Sequence, residues 1–524
     1  MAFMRAFGRI VEINKLPPRN VYSAQSVLLS TAAPGVHIGN VPNSKPFEDI
    51  PGPKGIYTWP VIGTMLHFKP FTDIVAETSH RLINQMFEKY GPIVKLRFGE
   101  TLVMVCDPKD METVFRNEGK YPVRFNVSIS TAFLRRNKIK PTVVDLTGED
   151  WHSIRTQLNK RLMKVDSAHA YLQPQNAVAD EFVNKLATYD LSAESLAELF
   201  FRYAVESIGV VCFNTRLGYF DREAMQNPEK VAFLKASKDV FMYIHKSLSG
   251  DSLVHNWYKN KVYRGYEQSR LTVRENTIKH IQEARHVLES QKKDRTFDAE
   301  EPNLLFSLLS DTTLDNDDVV GTLEGLYVAG TDSTAKNLLS FFYNLAKNPE
   351  SQEKLRTEIR NVLGHDQPVT AESLAKMHYL KACLKESFRY SYPTVSGTRR
   401  ILPTDVVLSG YRVPAGTIIS MHNPKACRDY FSNANKFLPE RWLRSSDGSH
   451  KEEIPKMASL PFGHGPKNCL GRRFAEQEIY LAVTKVVQKL KIEVEPESSN
   501  TNFIYTLFIQ PEKPIKFKFT KLDD

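Results

Sequence analysis

Residues 461–476 read PFGHGPKNCLGRRFAE. Glycines 463, 465 and 471 surround Cys469, Phe462 precedes them, and a helical pattern begins after Gly471. Glycine permits turns closed to other residues and lets a backbone approach a flat ligand closely. A cysteine on such a loop, just ahead of a helix N-terminus, has its thiolate favoured by backbone N–H groups and by the helix dipole. The remaining cysteines, 106, 212, 383 and 427, are scattered and form no CxxC pair. That usage fits a reducing compartment and leaves a thiol free for chemistry. An axial thiolate on haem iron needs such a setting, deprotonated and sheltered from water.

The loop resembles the FxxGxRxCxG segment of the cytochrome P450 family of haem-thiolate monooxygenases. Phe462, Gly465, Cys469 and Gly471 meet its fixed positions, and Lys467 stands where the family usually has arginine. The resemblance implies a mainly α protein, a large helical haem-binding fold with a small β-rich portion. It implies haem b as cofactor, with Cys469 as the iron's ligand. It also implies that dioxygen is reduced while one of its atoms enters an unactivated C–H bond.

Companion motifs follow in the family's order. Glu386 and Arg389 supply ExxR, on one helix face at i and i+3. With Arg441 of FLPERW, the resemblance makes them a buried charge network around the haem. Asp315 to Asp318 form an acidic start to a helix expected from Val319 to about Asn348, where Pro349 ends it. Within it, Ala329-Gly330-Thr331-Asp332-Ser333-Thr334 resembles the oxygen-activating AGxDTT. Gly330 would loosen the helix for dioxygen, and Asp332 and a hydroxyl would relay protons. Ser333 occupies the usual threonine position without the methyl that stiffens χ1; Thr334 and Thr331 offer further hydroxyls. Trp151 and Arg155 match WxxxR, and Arg400 matches a second propionate-binding arginine. Lys467 would be a third, weaker contact, because an ammonium lacks the bidentate fork.

Around these motifs the 524 residues carry 41% hydrophobic side chains, which excludes disorder for most of the chain. No run approaches the roughly 18 apolar residues of a spanning helix. Pro46 to Pro53 reads as an extended lead-in. Short strands are expected at Ile93–Phe98 and Leu102–Cys106, between 396 and 420, and at 503–519, with helices from about 148 to 392. No linker divides this pattern, so 41–524 is expected to be a single catalytic domain. Residues 1–40 hold Arg5, Arg9, Lys15 and Arg19 against Glu12 alone, and Phe3, Phe7, Ile10 and Ile13 share a helical face. That is the pattern of a mitochondrial transit peptide.

The net charge of +10 admits nucleic acid, anionic lipid or an acidic protein as partner. No zinc spacing, basic-aromatic run or helix-turn-helix signature supports nucleic acid. Lys381 and Lys385 share a helix face, and in the mitochondrial branch lysines here dock an acidic [2Fe-2S] ferredoxin, itself reduced by an NADPH-dependent flavoprotein reductase. Arg472 and Arg473 lie close in sequence to the loop as further cations. Branch resemblance places the enzyme in mitochondria, on the matrix face of the inner membrane. Pocket residues are expected near 121–137, 241–249, 326–333, 393–397 and 503–507. They imply a lipophilic substrate, a steroid or sterol-derived molecule ahead of a xenobiotic. An apolar region near 218–250 would allow peripheral membrane contact. Two rivals are a haem-thiolate isomerase or dehydratase, which needs no electron donor, and a non-enzymatic haem sensor. The retained Asp332 and Ser333 argue against the first, and the lysine face against the second.

Overall fold

The computed structural model describes residues 44–522, apart from 60–61, 99, 125–126, 189–192, 250–257, 294–302, 365–366 and 445–452. The expected transit segment, 1–40, lies outside the described residues. Among the described residues the nine longest helices are α1 (Gly148–Leu162), α2 (Leu172–Thr188), α3 (Ala193–Phe213), α4 (Pro228–Leu248), α5 (Lys261–Lys293), α6 (Asn316–Lys347), α7 (Pro349–Leu363), α8 (His378–Tyr390) and α9 (Arg472–Lys489). The chain is mainly α with a small β portion, as the motifs imply.

The centre is α6. Asp315 accepts from the Asp318 N–H at 2.8 Å and the Asp318 side chain accepts from the Asp315 N–H at 3.3 Å, a reciprocal cap. That cap starts the helix three residues before the expected Val319, and Pro349 opens α7 straight after it. Leu323, Tyr327, Leu338, Phe341, Phe342 and Leu345 are fully buried on several sides, as a helix through a large core requires. Between its accessible ends α6 is buried except near the middle, where residues 326, 329, 330, 333 and 337 form an accessible stripe at helical spacing, with 325 and 336 at its edge. Helix α6 runs unbroken through Gly330, so the expected loosening is not an interruption of the helix. Gly330 has a packing role instead: a Cβ there would lie 2.7 Å from Cγ1 of Ile208 on α3.

Strands β1 (Ile93–Phe98) and β2 (Glu100–Val105) pair antiparallel, with Ile93 opposite Val105. With β3 (Arg399–Ile401), β4 (Val406–Leu408), β5 (Tyr411–Val413) and β6 (Ile418–Met421), the main sheet runs β1-β2-β6-β3, β6 lying parallel to β2; β4 and β5 pair separately. Strand β7 (Leu490–Val494) pairs with β10 (Phe517–Lys521), and β8 (Phe503–Tyr505) with β9 (Ile509–Pro511).

The apolar side chains of 218–250 are largely spent on the core: Phe220, Phe233, Leu234 and Val240 are all buried. Leu248 in that stretch is exposed, and a denser group of exposed large apolar side chains lies at Ile56, Tyr57, Trp59, Ile62, Met65 and Phe71, Trp59 being 55% and Phe71 59% exposed. Among the described residues no helix is long and apolar enough to cross a membrane.

Candidate active site

The loop before α9 is a tight turn closed by its own backbone. The Cys469 N–H donates to the Phe462 carbonyl at 2.8 Å, and the Asn468 N–H to the Gly465 carbonyl at 3.1 Å. Gly463 and Gly465 have φ of +71° and +73°, which side chains disfavour. Gly465 is doubly constrained, since a Cβ would fall 2.0 Å from Oε1 of Glu118. Gly471 is the N-cap of α9. Of the five free cysteines, Cys469 alone is exposed. Its residue reaches solvent, yet protein atoms crowd the sulfur, and that lost hydration pushes the thiol pKa up. The Gly471 N–H and the guanidiniums of Arg155, Arg124 and Arg472 pull it back toward the thiolate.

Beside the thiol stands a cluster of cations. Arg155, on α1, donates to Asn159 Oδ1 at 2.7 Å and, through Nη2, to the Asn468 carbonyl at 2.8 Å and Asn468 Oδ1 at 2.6 Å. Lys467 lies 4.2 Å over the Trp151 ring, and both are buried. Arg400, wholly buried, pairs with Glu118 and reaches the His464 carbonyl at 3.4 Å. Arg124 joins them, donating to the Lys467 carbonyl at 2.5 Å. Four cations thus face one carboxylate. Lost hydration, then Arg124, Arg400 and Arg155, drive the Lys467 ammonium down to about 7. Lost hydration and Arg400 and Arg155 bring Arg124 down to about 10. A group carrying two carboxylates fits this donor set, because it would meet charge that the protein leaves uncompensated. Sequence reasoning missed Arg124 and Glu118, which sit in a segment with no motif.

On the other side of the core, Glu386 is wholly buried and holds a converging set of donors. Arg389 forms a fork with it at 2.8 and 2.7 Å, and Arg441 reaches it at 3.3 Å. The Leu438 N–H at 2.8 Å and the Trp442 indole N–H at 2.9 Å complete the set. Arg389 also donates to the carbonyls of Ala434 and Lys436, both at 2.8 Å. The network therefore clamps α8 to the 430s loop and to the turn Pro439–Trp442. Trp442 and the Leu438 amide lie within the FLPERW segment, but the motif assigned a role there to Arg441 alone.

The α6 side chains divide by face. Ser333 is accessible, its hydroxyl donating back to the Ala329 carbonyl at 2.6 Å. Thr334 points elsewhere: it is buried and donates to Glu478 Oε1 on α9 at 2.7 Å. Thr331 is buried too and donates to Val328. Of the three hydroxyls proposed for a relay, Ser333 alone lies on the accessible stripe, and Thr334 acts as a helix–helix contact. Asp332, 4% exposed, pairs with Lys336 at 2.7 Å.

Burial raises Glu478 to about 8 against the hydroxyls of Thr334 and Ser207, so it folds as the neutral acid at neutral pH. The folded state then holds a proton that the unfolded state releases above the ordinary carboxyl value. This contribution to stability is complete below about 4.5 and lost as pH rises through about 8. Glu478→Gln is expected to flatten that fall, leaving the variant more stable than the parent at pH ~9 and the two converging toward pH ~4.5, read as thermal midpoints across pH.

Lys385, on α8, is exposed with Nζ 5.9 Å over the Trp442 ring. Lys381 is half-buried, donating to the Ala375 carbonyl at 2.8 Å. Lost hydration lowers both ammonium pKa values. Arg472 pairs with Glu476 at 2.9 Å, and Arg473 reaches it at 3.7 Å.

A family model described as Cytochrome P450 matches residues 53–519. The chain is 32% identical to "Probable cytochrome P450 12a5, mitochondrial" of Drosophila melanogaster, over 95% of this chain and 96% of that one. It is 31% identical to "Cytochrome P450 CYP12A2" of Musca domestica, over 87% and 89%. It is 27% identical to "1,25-dihydroxyvitamin D(3) 24-hydroxylase, mitochondrial" of Rattus norvegicus, over 99% and 98%. With a match across most of its length and relatives of this kind, the chain belongs to the cytochrome P450 family and is a haem-thiolate monooxygenase of the mitochondrial type.

Proposed function

We propose that this enzyme hydroxylates a lipophilic, sterol-derived molecule, with electrons from NADPH carried by a flavoprotein reductase and an acidic [2Fe-2S] ferredoxin. The observation that carries the reading is the loop itself, which sets Cys469 beside an uncompensated cluster of cations. Haem, when bound, supplies dioxygen activation and the insertion of one oxygen atom into a C–H bond. The protein's part is binding, orientation and proton supply. Cys469 provides the thiolate ligand. Arg155, Arg400, Arg124 and Lys467 hold the propionates, with Trp151 supporting Lys467 from below and Phe462, Gly465 and Gly471 shaping the loop. Asp332 and Ser333 would be the groups of α6 that hold and pass protons for that chemistry.

A lipophilic substrate is supported by the apolar contact of Phe241 with Phe508, which joins two of the expected pocket segments, and a sterol-derived one by the vitamin D in the rat relative's name. Mitochondrial placement, on the matrix face of the inner membrane, is supported by the basic, acid-poor residues 1–40 and by the relatives' names. The exposed apolar side chains between Ile56 and Phe71 are suited to peripheral contact with that membrane. On this reading residues 1–40 are removed and 41–524 are the working domain.

Ferredoxin docking rests on Lys381 and Lys385, because a short-lived electron-transfer complex gains on-rate from opposite charges. The double variant Lys381→Glu/Lys385→Glu is expected to slow ferredoxin-driven reduction by about tenfold at low salt, and less as salt screens the field. Its haem spectrum should not move. An unchanged stopped-flow reduction rate at low ionic strength would remove these lysines from the docking surface.

A further inference from the structure

The relay acid does not stand alone. Asp332 is buried in α6, where an unpartnered carboxylate is costly, and its partner is Lys336, one turn on at 2.7 Å. An acid preceding a lysine by four residues is the favourable order for such a pair. An ammonium has three donors, and a second is also used: Nζ of Lys336 reaches Thr506 Oγ1 at 3.2 Å. Thr506 follows β8 in the turn toward β9. Its hydroxyl lies 3.3 Å from Gln510 Oε1, and its N–H donates to the Phe508 carbonyl at 3.3 Å.

That turn is held from other sides as well. Phe508 packs edge-on against Phe241 of α4, ring centroids 5.4 Å apart, and bridges to Thr394. The next N–H, of Ile509, donates to the Pro393 carbonyl at 2.8 Å. Four segments expected to line the pocket, around 241–249, 326–333, 393–397 and 503–507, therefore meet at one turn, and Lys336 is the link from that turn to Asp332.

We propose that Lys336 is a positioning residue for the relay: it fixes the Asp332 carboxylate and staples it to the 505–509 turn, so that turn closure and acid placement form one coupled state. The proposal rests on the reading of Asp332 as the relay acid and adds its partner and its connection to the hairpin.

Four variants of the haem-loaded enzyme test it, read by hydrogen–deuterium exchange over Phe503–Pro511 and by product formed per NADPH consumed. Thr506→Val removes the link to the turn together with the hydroxyl's own bond to Gln510. Lys336→Met removes both Lys336 links and leaves the Gln510 bond in place, so it is the cleaner test of the staple. Both are expected to speed exchange in the hairpin by about tenfold. Lys336→Met should lower coupling about fivefold, with the missing electrons appearing as reduced oxygen, and Thr506→Val about twofold. Lys336→Arg, which keeps the charge and can reach both partners, should restore most of the coupling. Hairpin exchange unchanged in both Thr506→Val and Lys336→Met would overturn the staple, and so would full coupling in Lys336→Met. Asp332→Asn separates the two layers. If it stays fully coupled, the relay reading fails, while the exchange data still decide whether Lys336 holds the turn.

Discussion

Replacing Glu386 by alanine is expected to leave little haem-loaded, soluble protein. Glu386 is 0% exposed and accepts from Arg389, Arg441, the Leu438 amide and the Trp442 indole. Its removal strands two guanidiniums, 3% and 2% exposed, that cannot lose their protons. Taking one partner from a buried ion pair costs about 3–5 kcal/mol, a large share of the ~5–15 kcal/mol that holds a domain together. Glutamine keeps the shape and some acceptor capacity, so Glu386→Gln should retain more folded protein than the alanine variant. Haem content per soluble polypeptide and the urea midpoint measure both. Parent-like stability of Glu386→Ala would show that the clamp between α8 and the turn Pro439–Trp442 is redundant.

Part of this network is legible in the sequence and part is not, for a physical reason. Glu386 and Arg389 are three residues apart on one helix, so helical geometry alone brings them together. Trp442 and the Leu438 amide flank Arg441 in FLPERW, but that they too donate to the carboxylate depends on how the turn Pro439–Trp442 docks on α8, which the motif does not specify. The cations divide in the same way. Arg155 and Lys467 carry motif signals, whereas Arg124 and Glu118 meet them from a segment between helices. Helix α6 gives a finer case. A period of 3.6 places Ser333 and Thr334 about 100° apart, so one helix face cannot present both. Which of the two faces the core depends on Glu478, 144 residues away. The Asp332–Lys336 spacing could be read from the sequence, but the reach of Lys336 to Thr506 could not.

Cys469→Ser should fold and yet lose the activity. The side chain nearly keeps its volume, and the backbone bonds at Phe462 and Gly465 do not involve the sulfur. What disappears is a ligand whose deprotonated form the Gly471 N–H and Arg155, Arg124 and Arg472 support. A hydroxyl at the same place stays protonated and is a poor match for iron. The carbon monoxide complex of the reduced variant should lack the thiolate absorption signature, and turnover should fall by more than about a hundredfold, beyond what is usual for losing a group behind the ligand. A variant with the parent's spectrum and turnover would show that Cys469 is not the ligand.

A monooxygenase fed one electron at a time through a ferredoxin takes the new oxygen of its product from dioxygen. Turnover in isotopically labelled dioxygen, with NADPH, reductase, ferredoxin and a sterol-derived substrate that perturbs the haem spectrum on binding, tests this most directly. One labelled oxygen atom is expected in each product molecule, with no product when ferredoxin is left out and none from Cys469→Ser. Product that forms without the electron donors, or whose new oxygen comes from water, would contradict a ferredoxin-fed monooxygenase.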